Sequence, residues 1–139
     1  MLFNNIDAMM ASYASQTPMK AALITANNSY NYDQLYQAAR KFAAYLQSEK
    51  LQKQCVMLHM PNSIELVIGY LGCFIAGAVA VPLNVSLKPA EIAYIMQLTQ
   101  PQCLLVSDVK HPHLAPVIGN QSELKLITAA ELTSMQPKR

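Results

Sequence analysis

The sequence predicts an α/β fold in three layers, where repeated β-α-β units build a mainly parallel sheet behind a small N-terminal helix and hairpin. Short apolar runs at 55–59, 78–81, 103–106 and 124–127 alternate with segments of helical periodicity, the pattern of strands joined by crossover helices. The run Cys55 to His59 is continuous and apolar instead of alternating, as in a parallel strand covered on both faces. The intervening segments open on Asn or Pro and close on Gly or just before Pro, the punctuation of helices. The crossovers are expected to be right-handed.

In chain order, Ile6, Met9, Met10 and Tyr13 recur at helical spacing until Thr17-Pro18 breaks the pattern, which gives a first helix over about 5–15 on the outside of the domain. Ala21 to Thr25 and Tyr30 to Tyr32 flank Asn27-Asn28, residues that tolerate left-handed backbone, so this stretch reads as a hairpin. Asn31 followed by Gln34 is an amide version of the capping box, and Leu35, Ala39, Phe42 and Leu46 form the buried stripe of a helix over about 32–48. Cys55 to His59 is a buried strand. Pro89 opens a later helix with Glu91 near its positive end and Ile92, Ile95, Met96 and Thr99 on its buried side. Pro101 closes it, and Cys103 to Val106 is the next strand. Ser107-Asp108 is expected to cap a short helix ending near Gly119, before a last strand at Leu124 to Ile127. From Thr133 no pattern is visible, so residues 1–132 are assigned to one α/β subdomain and 133–139 to a disordered or linker tail.

The most informative stretch is Met60 to Asn84. From Leu66 to Leu83 it runs 18 residues without a charge, the length at which a membrane span is considered. Punctuation argues against a span. Pro61 and Asn62 read as breaker and N-cap, and Gly77 reads as a left-handed C-terminal residue, so helix fills about 63–76. Ala78 to Val81 is then a strand stopped by Pro82, and a helix that short does not cross about 30 Å of hydrocarbon. Gly69, Gly72, Cys73 and Ala76 put small side chains on one flank, at a propensity cost of about 1 kcal/mol per glycine, which implies close docking on a sheet. The alternative, a small-residue dimerisation face in lipid, needs the membrane reading.

Composition sets further bounds. Apolar residues make up 53% and charged residues 13%, against about a quarter charged in ordinary domains, so part of the surface is expected to be covered by something else. The 10 Lys and Arg are scattered and the net charge is +2, so there is no basic stripe to neutralise phosphates and nucleic acid is not expected as a partner. Cys55, Cys73 and Cys103 have no metal-ligand rhythm and read as reduced core residues. The N-terminus lacks the pattern of a secretory signal, and the expected location is cytoplasmic.

A search for chemistry yields no assigned catalytic, cofactor-binding or metal residue. With 4 glycines there is no glycine-rich phosphate turn, and Gly69 to Gly72 lies inside a helix whose N–H groups are already used. His111 and His113 have no Cys or carboxylate partner in sequence and read as loop residues instead of metal ligands. His59 ends a strand, where α/β proteins place functional groups, although a hydrogen-bonded histidine at the sheet edge is the plainer reading. Ser63 and Ser107 lack a nucleophile turn, and the 8 acidic residues are dispersed. Tyr30, Tyr32, Tyr36 and Tyr45 read as packing residues.

Three segments, in this order, resemble the N-terminal part of the adenylate-forming (AMP-binding) ligase superfamily: acyl-CoA synthetases, aryl-CoA ligases, luciferases and peptide-synthetase adenylation domains. Tyr30-Asn31-Tyr32-Asp33-Gln34-Leu35 is similar to its (Ser/Thr)-Tyr-x-Glu-Leu motif, and Met60 to Glu65 to its Pro-Asn-Ser-x-Glu segment. Phe74 to Asn84 is similar to its Leu-Lys-Ala-Gly-x-x-x-Val-Pro-Leu-(Asn/Asp) motif, and Lys88 to Ile95 follows as the next helix. Departures are Asn31 and Gln34 in the capping pair, Ile75 for Lys, Gln52-Lys53-Gln54 for a Gly-Asp turn, and Lys88 for a Ser or Thr cap. The resemblance implies a parent enzyme that activates a carboxylic acid with ATP and magnesium to an acyl-adenylate, usually passing it to CoA. The family's phosphate loop and catalytic lysine lie in later parts, so the chain is expected to be an inactive first subdomain whose partner is the remainder of the ligase. Self-association through exposed apolar surface is expected when that remainder is absent. The alternative is a stand-alone α/β interaction module that has lost catalysis.

Overall fold

In the computed structural model, which describes residues 5–119, 121 and 123–135, a parallel sheet has the strand order β4-β3-β5-β6. Its strands are β3 (Cys55–His59), β4 (Val79–Leu83), β5 (Cys103–Val106) and β6 (Lys125–Thr128). A separate antiparallel pair is formed by β1 (Ala21–Ile24) and β2 (Ser29–Asn31). The helices are α1 (Ile6–Gln16), α2 (Tyr32–Ser48), α3 (Ile64–Ala76), α4 (Pro89–Thr99), α5 (Ala115–Ile118) and α6 (Ala129–Ser134). The three-layer α/β prediction therefore holds.

Side chains alternate across the strands, and the two faces bury different helices. Val56, Leu58, Cys103, Leu105 and Ile127 join Phe42, Leu46, Ile68 and Cys73 in one cluster, which α1, α2, α3 and α6 close. Met57, Leu83, Leu104 and Val106 join Ile92, Met96 and Leu114 in the other, under α4 and α5.

Local chemistry explains the element ends. The Asn31 side chain accepts from the Gln34 N–H at 2.7 Å and the Gln34 side chain accepts from the Asn31 N–H at 2.8 Å, so the expected box starts α2. Gly77 has φ 79°, the left-handed conformation expected of it, and Ala78 N–H bonds back to the Cys73 carbonyl at 2.9 Å. The small residues of α3 are explained by contact: a Cβ on Gly69 would lie 2.8 Å from Leu105 Cδ2, and one on Gly72 would lie 2.5 Å from Phe42 Cδ2. Docking is thus on the sheet at Gly69 and on α2 at Gly72. Lys53, standing where a glycine turn is usual, is held at φ 65° while its N–H bonds the Gly77 carbonyl at 2.7 Å.

Four expectations are corrected. The N-cap of α3 is Ser63 instead of Asn62, because the Ser63 hydroxyl reaches the Leu66 N–H at 3.1 Å. Pro82 does not stop β4 but lies within it, which an edge strand tolerates since one of its sides has no ladder partner. Ser107-Asp108 caps no helix; the Asp108 carboxylate accepts the Lys110 N–H at 2.9 Å in a turn, and α5 begins only at Ala115. Finally, α6 follows β6 directly through a capping box in which Thr128 and Glu131 bond each other's N–H groups, so Thr133 and Ser134 are helical. The last residues of the assigned tail, 136–139, lie outside the described residues.

Candidate functional site

The carboxyl edge of the sheet is where open α/β folds bind ligands, in the crevice between strands whose onward connections leave on opposite faces. Here β3 hands over to α3 on one face while β5 hands over to α5 on the other. The crevice is therefore expected between the ends of β3 and β5.

Its inner wall is an apolar rung with one polar member. His59 pairs in register with Leu83 on one side and Val106 on the other, and it shares the α4/α5 face with Met57. Its side chain is 0% exposed. Neither ring nitrogen makes a well-aligned hydrogen bond to another residue, and only a weak contact with the residue's own backbone favours a proton there. The plain expectation of a hydrogen-bonded edge histidine is thus overturned. Burial lowers the His59 pKa from the ordinary imidazole value and His111 pushes the same way; a contact with its own backbone opposes the shift, and His113 adds a smaller push downward.

The His59 ring stands edge-on to His111 at 4.9 Å between centroids, and His111 stands edge-on to His113 at 5.3 Å. His111 Nδ1 accepts the His113 backbone N–H at 3.1 Å, and the buried His113 Nδ1 has no partner. The fold therefore assembles three imidazoles that are separated by more than fifty positions in sequence between His59 and His111. Sequence reading missed the assembly because periodicity does not report which loops meet. The available signal was a histidine inside an apolar strand run. Among the described residues no group of three or more His, Cys, Asp or Glu is arranged to hold a metal ion.

The remaining candidates are occupied elsewhere. Ser63 Oγ caps α3 and donates to the Pro61 carbonyl at 3.0 Å. Asn84 Oδ1 accepts from Ser86 N–H at 2.9 Å and Ser86 Oγ at 2.8 Å. Tyr36 donates to Asp7 Oδ1 at 2.7 Å, tying α1 to α2, and Tyr30, Tyr32 and Tyr45 pack at the rim of the larger core. Cys73 and Cys103 are free thiols pushed to about 12 by burial, which leaves them unreactive. A groove of about 740 Å³ between α4 and α5 is lined by Gln100, Gln102, Glu123 and Leu124 at the amino edge of the sheet, the end opposite the crevice. No described helix is long and apolar enough to cross a membrane.

The family motifs lie at the junctions just described: the start of α2, the turn from β3 to α3, and the turn from α3 into β4. A sequence profile of the family described as AMP-binding enzyme matches residues 10–138. The chain belongs to the AMP-binding enzyme family. Within it, a medium/long-chain-fatty-acid–CoA/3-oxocholest-4-en-26-oate–CoA ligase of Mycolicibacterium smegmatis is 29% identical over 128 residues, covering 91% of this chain and 23% of that protein. A 3-hydroxybenzoate–CoA/4-hydroxybenzoate–CoA ligase of Thauera aromatica is 33% identical over 105 residues, covering 75% of this chain and 20% of that protein. The benzoate CoA ligase structure from Burkholderia xenovorans LB400 has the same fold, with a TM-score of 0.84 at 24% identity over 98% of this chain and 29% of its own. Adenylation modules of peptide synthetases are relatives as well. The chain spans about a fifth of the length of the two curated CoA ligases. It is thus similar to the N-terminal portion of an adenylate-forming ligase domain.

Proposed function

We propose that this chain is the N-terminal scaffold of a ligase that uses ATP and magnesium to convert a carboxylic acid, fatty or aromatic, to an acyl-adenylate and then to a CoA thioester in the cytoplasm, and that the scaffold alone is inactive. The observation that carries this reading is the family match across 10–138 combined with the same fold in a benzoate CoA ligase. Inactivity follows from the chemistry at the carboxyl edge. Nucleotide phosphates need converging N–H donors or a cationic clamp, and rate enhancement needs charge stabilisation at the transferred group. The Ser63 hydroxyl is engaged at the start of α3, Asn84 Oδ1 accepts from Ser86, and Lys88 and Lys110 stand exposed on separate connections.

The partner in this reading is the remainder of the ligase. Apolar surface available to it comprises exposed Phe74 on α3 and, on the opposite face of the sheet, Tyr94 and Leu98 on α4, with Val79 on the edge strand. Left alone, that surface brings copies of the chain together, and sedimentation at rising concentration reports it as a rising mean mass. The decisive experiment extends the reading frame past Arg139 and assays acid-dependent ATP–pyrophosphate exchange over a panel of fatty and aromatic acids. Exchange by the extended protein and none by the 139-residue chain is the expected result. A stop codon there, or an extended protein without exchange, would instead leave a stand-alone module.

A further inference from the structure

We propose that His59, His111 and His113 form an acid-sensitive clasp that holds the β5–α5 connection on the carboxyl edge of the sheet and releases it on protonation. The cluster is built for the neutral state. His59 is sealed from solvent between Leu83 and Val106, with neither ring nitrogen bonded to another residue. A proton placed there gains no water and no counter-charge.

His111 is the hub of the connection. Its carbonyl accepts Leu114 N–H at 3.0 Å and Ala115 N–H at 2.8 Å, so its position sets the start of α5 and the seat of the fully buried Leu114. Its Nδ1 accepts the His113 N–H at 3.1 Å. Protonation turns that nitrogen into a donor facing a donor and breaks the bond. A second charge on the edge-on rings then adds repulsion across 4.9 or 5.3 Å.

The groups that act on His59 include no carboxylate. On the same connection, Asp108 is engaged by the Lys110 N–H, and the Lys110 side chain adds a further positive charge. On α4, Glu91 accepts the Lys88 N–H at 3.0 Å, and on α3 the acid of the first turn is Glu65. The rung partners of His59 on β4 and β5 are apolar. Among the described residues no ion pair involves any of the three histidines. Burial holds the folded His59 below the unfolded imidazole value of about 6.5, so stability is present above that pH and lost as pH falls beneath it.

Hydrogen–deuterium exchange at about pH 7.5 and about pH 5.5, corrected for intrinsic rates, tests the clasp. Segment 107–118 is expected to lose about tenfold in protection on acidification while 55–58 and 79–83 change by less than about threefold. His111→Gln, which keeps an acceptor but does not titrate, is expected to remove most of that response. Unchanged protection of 107–118, or a full acid response in both His111→Gln and His59→Leu, would overturn the proposal. Should either variant fail to fold, nuclear magnetic resonance of the unaltered chain decides. Amides of 107–114 shifting with the same midpoint as an imidazole proton of His59 or His111 support the clasp, and amides indifferent to imidazole titration refute it.

Discussion

On one face of the sheet, α2 and α3 meet so closely that Gly72 has no room for a Cβ against Phe42, and the tyrosines of α2 close the rim. On the other face, α4 buries only Ile92 and Met96 and turns Tyr94 and Leu98, at 62% and 65% exposure, to solvent. Both faces cover the same strands, yet the first is built from two helices packed against each other, with Phe74 of α3 half-exposed, whereas the second is covered by α4 with two large apolar residues turned outward. The difference separates what this chain needs in order to fold from what it offers to another body. Core burial is specified by wide apolar stripes on α2 and by glycine on α3, whereas the outside of α4 carries apolar residues that contribute nothing to the core here.

The comparison breaks most readily at Phe42. Phe42→Ala removes a side chain with 0% exposure beside Gly72, and a loss of about 3–5 kcal/mol is expected in urea denaturation. Leu98→Ala, on the outer side of the second face, should change stability by less than about 0.5 kcal/mol. Similar losses for the two would erase the distinction between the faces. A smaller effect is expected at the hinge between α3 and β4. No atom lies within 4 Å of a Cβ on Gly77, so Gly77→Val tests backbone conformation alone, and a loss of about 1–2 kcal/mol is expected by thermal melting. The smallest effect is a gain. Lys88 precedes α4 with no side-chain cap, since an ammonium has no acceptor, while Glu91 supplies the reciprocal bond. Lys88→Thr should therefore raise the melting midpoint by the equivalent of a few tenths to about 1 kcal/mol.

Much of this was legible in the sequence because it is written locally. The span of α2, the left-handed Gly77 and the four parallel strands follow from short-range spacing and capping chemistry, and the family motifs are contiguous segments whose resemblance can be read directly. Local signals were also missed or misread: Thr128 and Glu131 form a capping box visible in the sequence, and Ser63 outcompetes Asn62 because its hydroxyl is the one that reaches Leu66 N–H. The histidine cluster was not legible, because it depends on β5 pairing beside β3 and on the direction of the loop that follows. Pro82 was misread for the same reason, since edge position is a property of the whole sheet.

The central claim, that the chain carries the scaffold of an AMP-binding ligase without its chemistry, is tested most directly by titrating the purified chain with ATP and magnesium in a calorimeter. Heats no larger than dilution are expected, because Lys88 and Lys110 lie on separate connections and their backbone N–H groups are bonded to Glu91 and Asp108. A saturable isotherm with a dissociation constant of about 1 μM to 1 mM would contradict the account and place a nucleotide site within these residues.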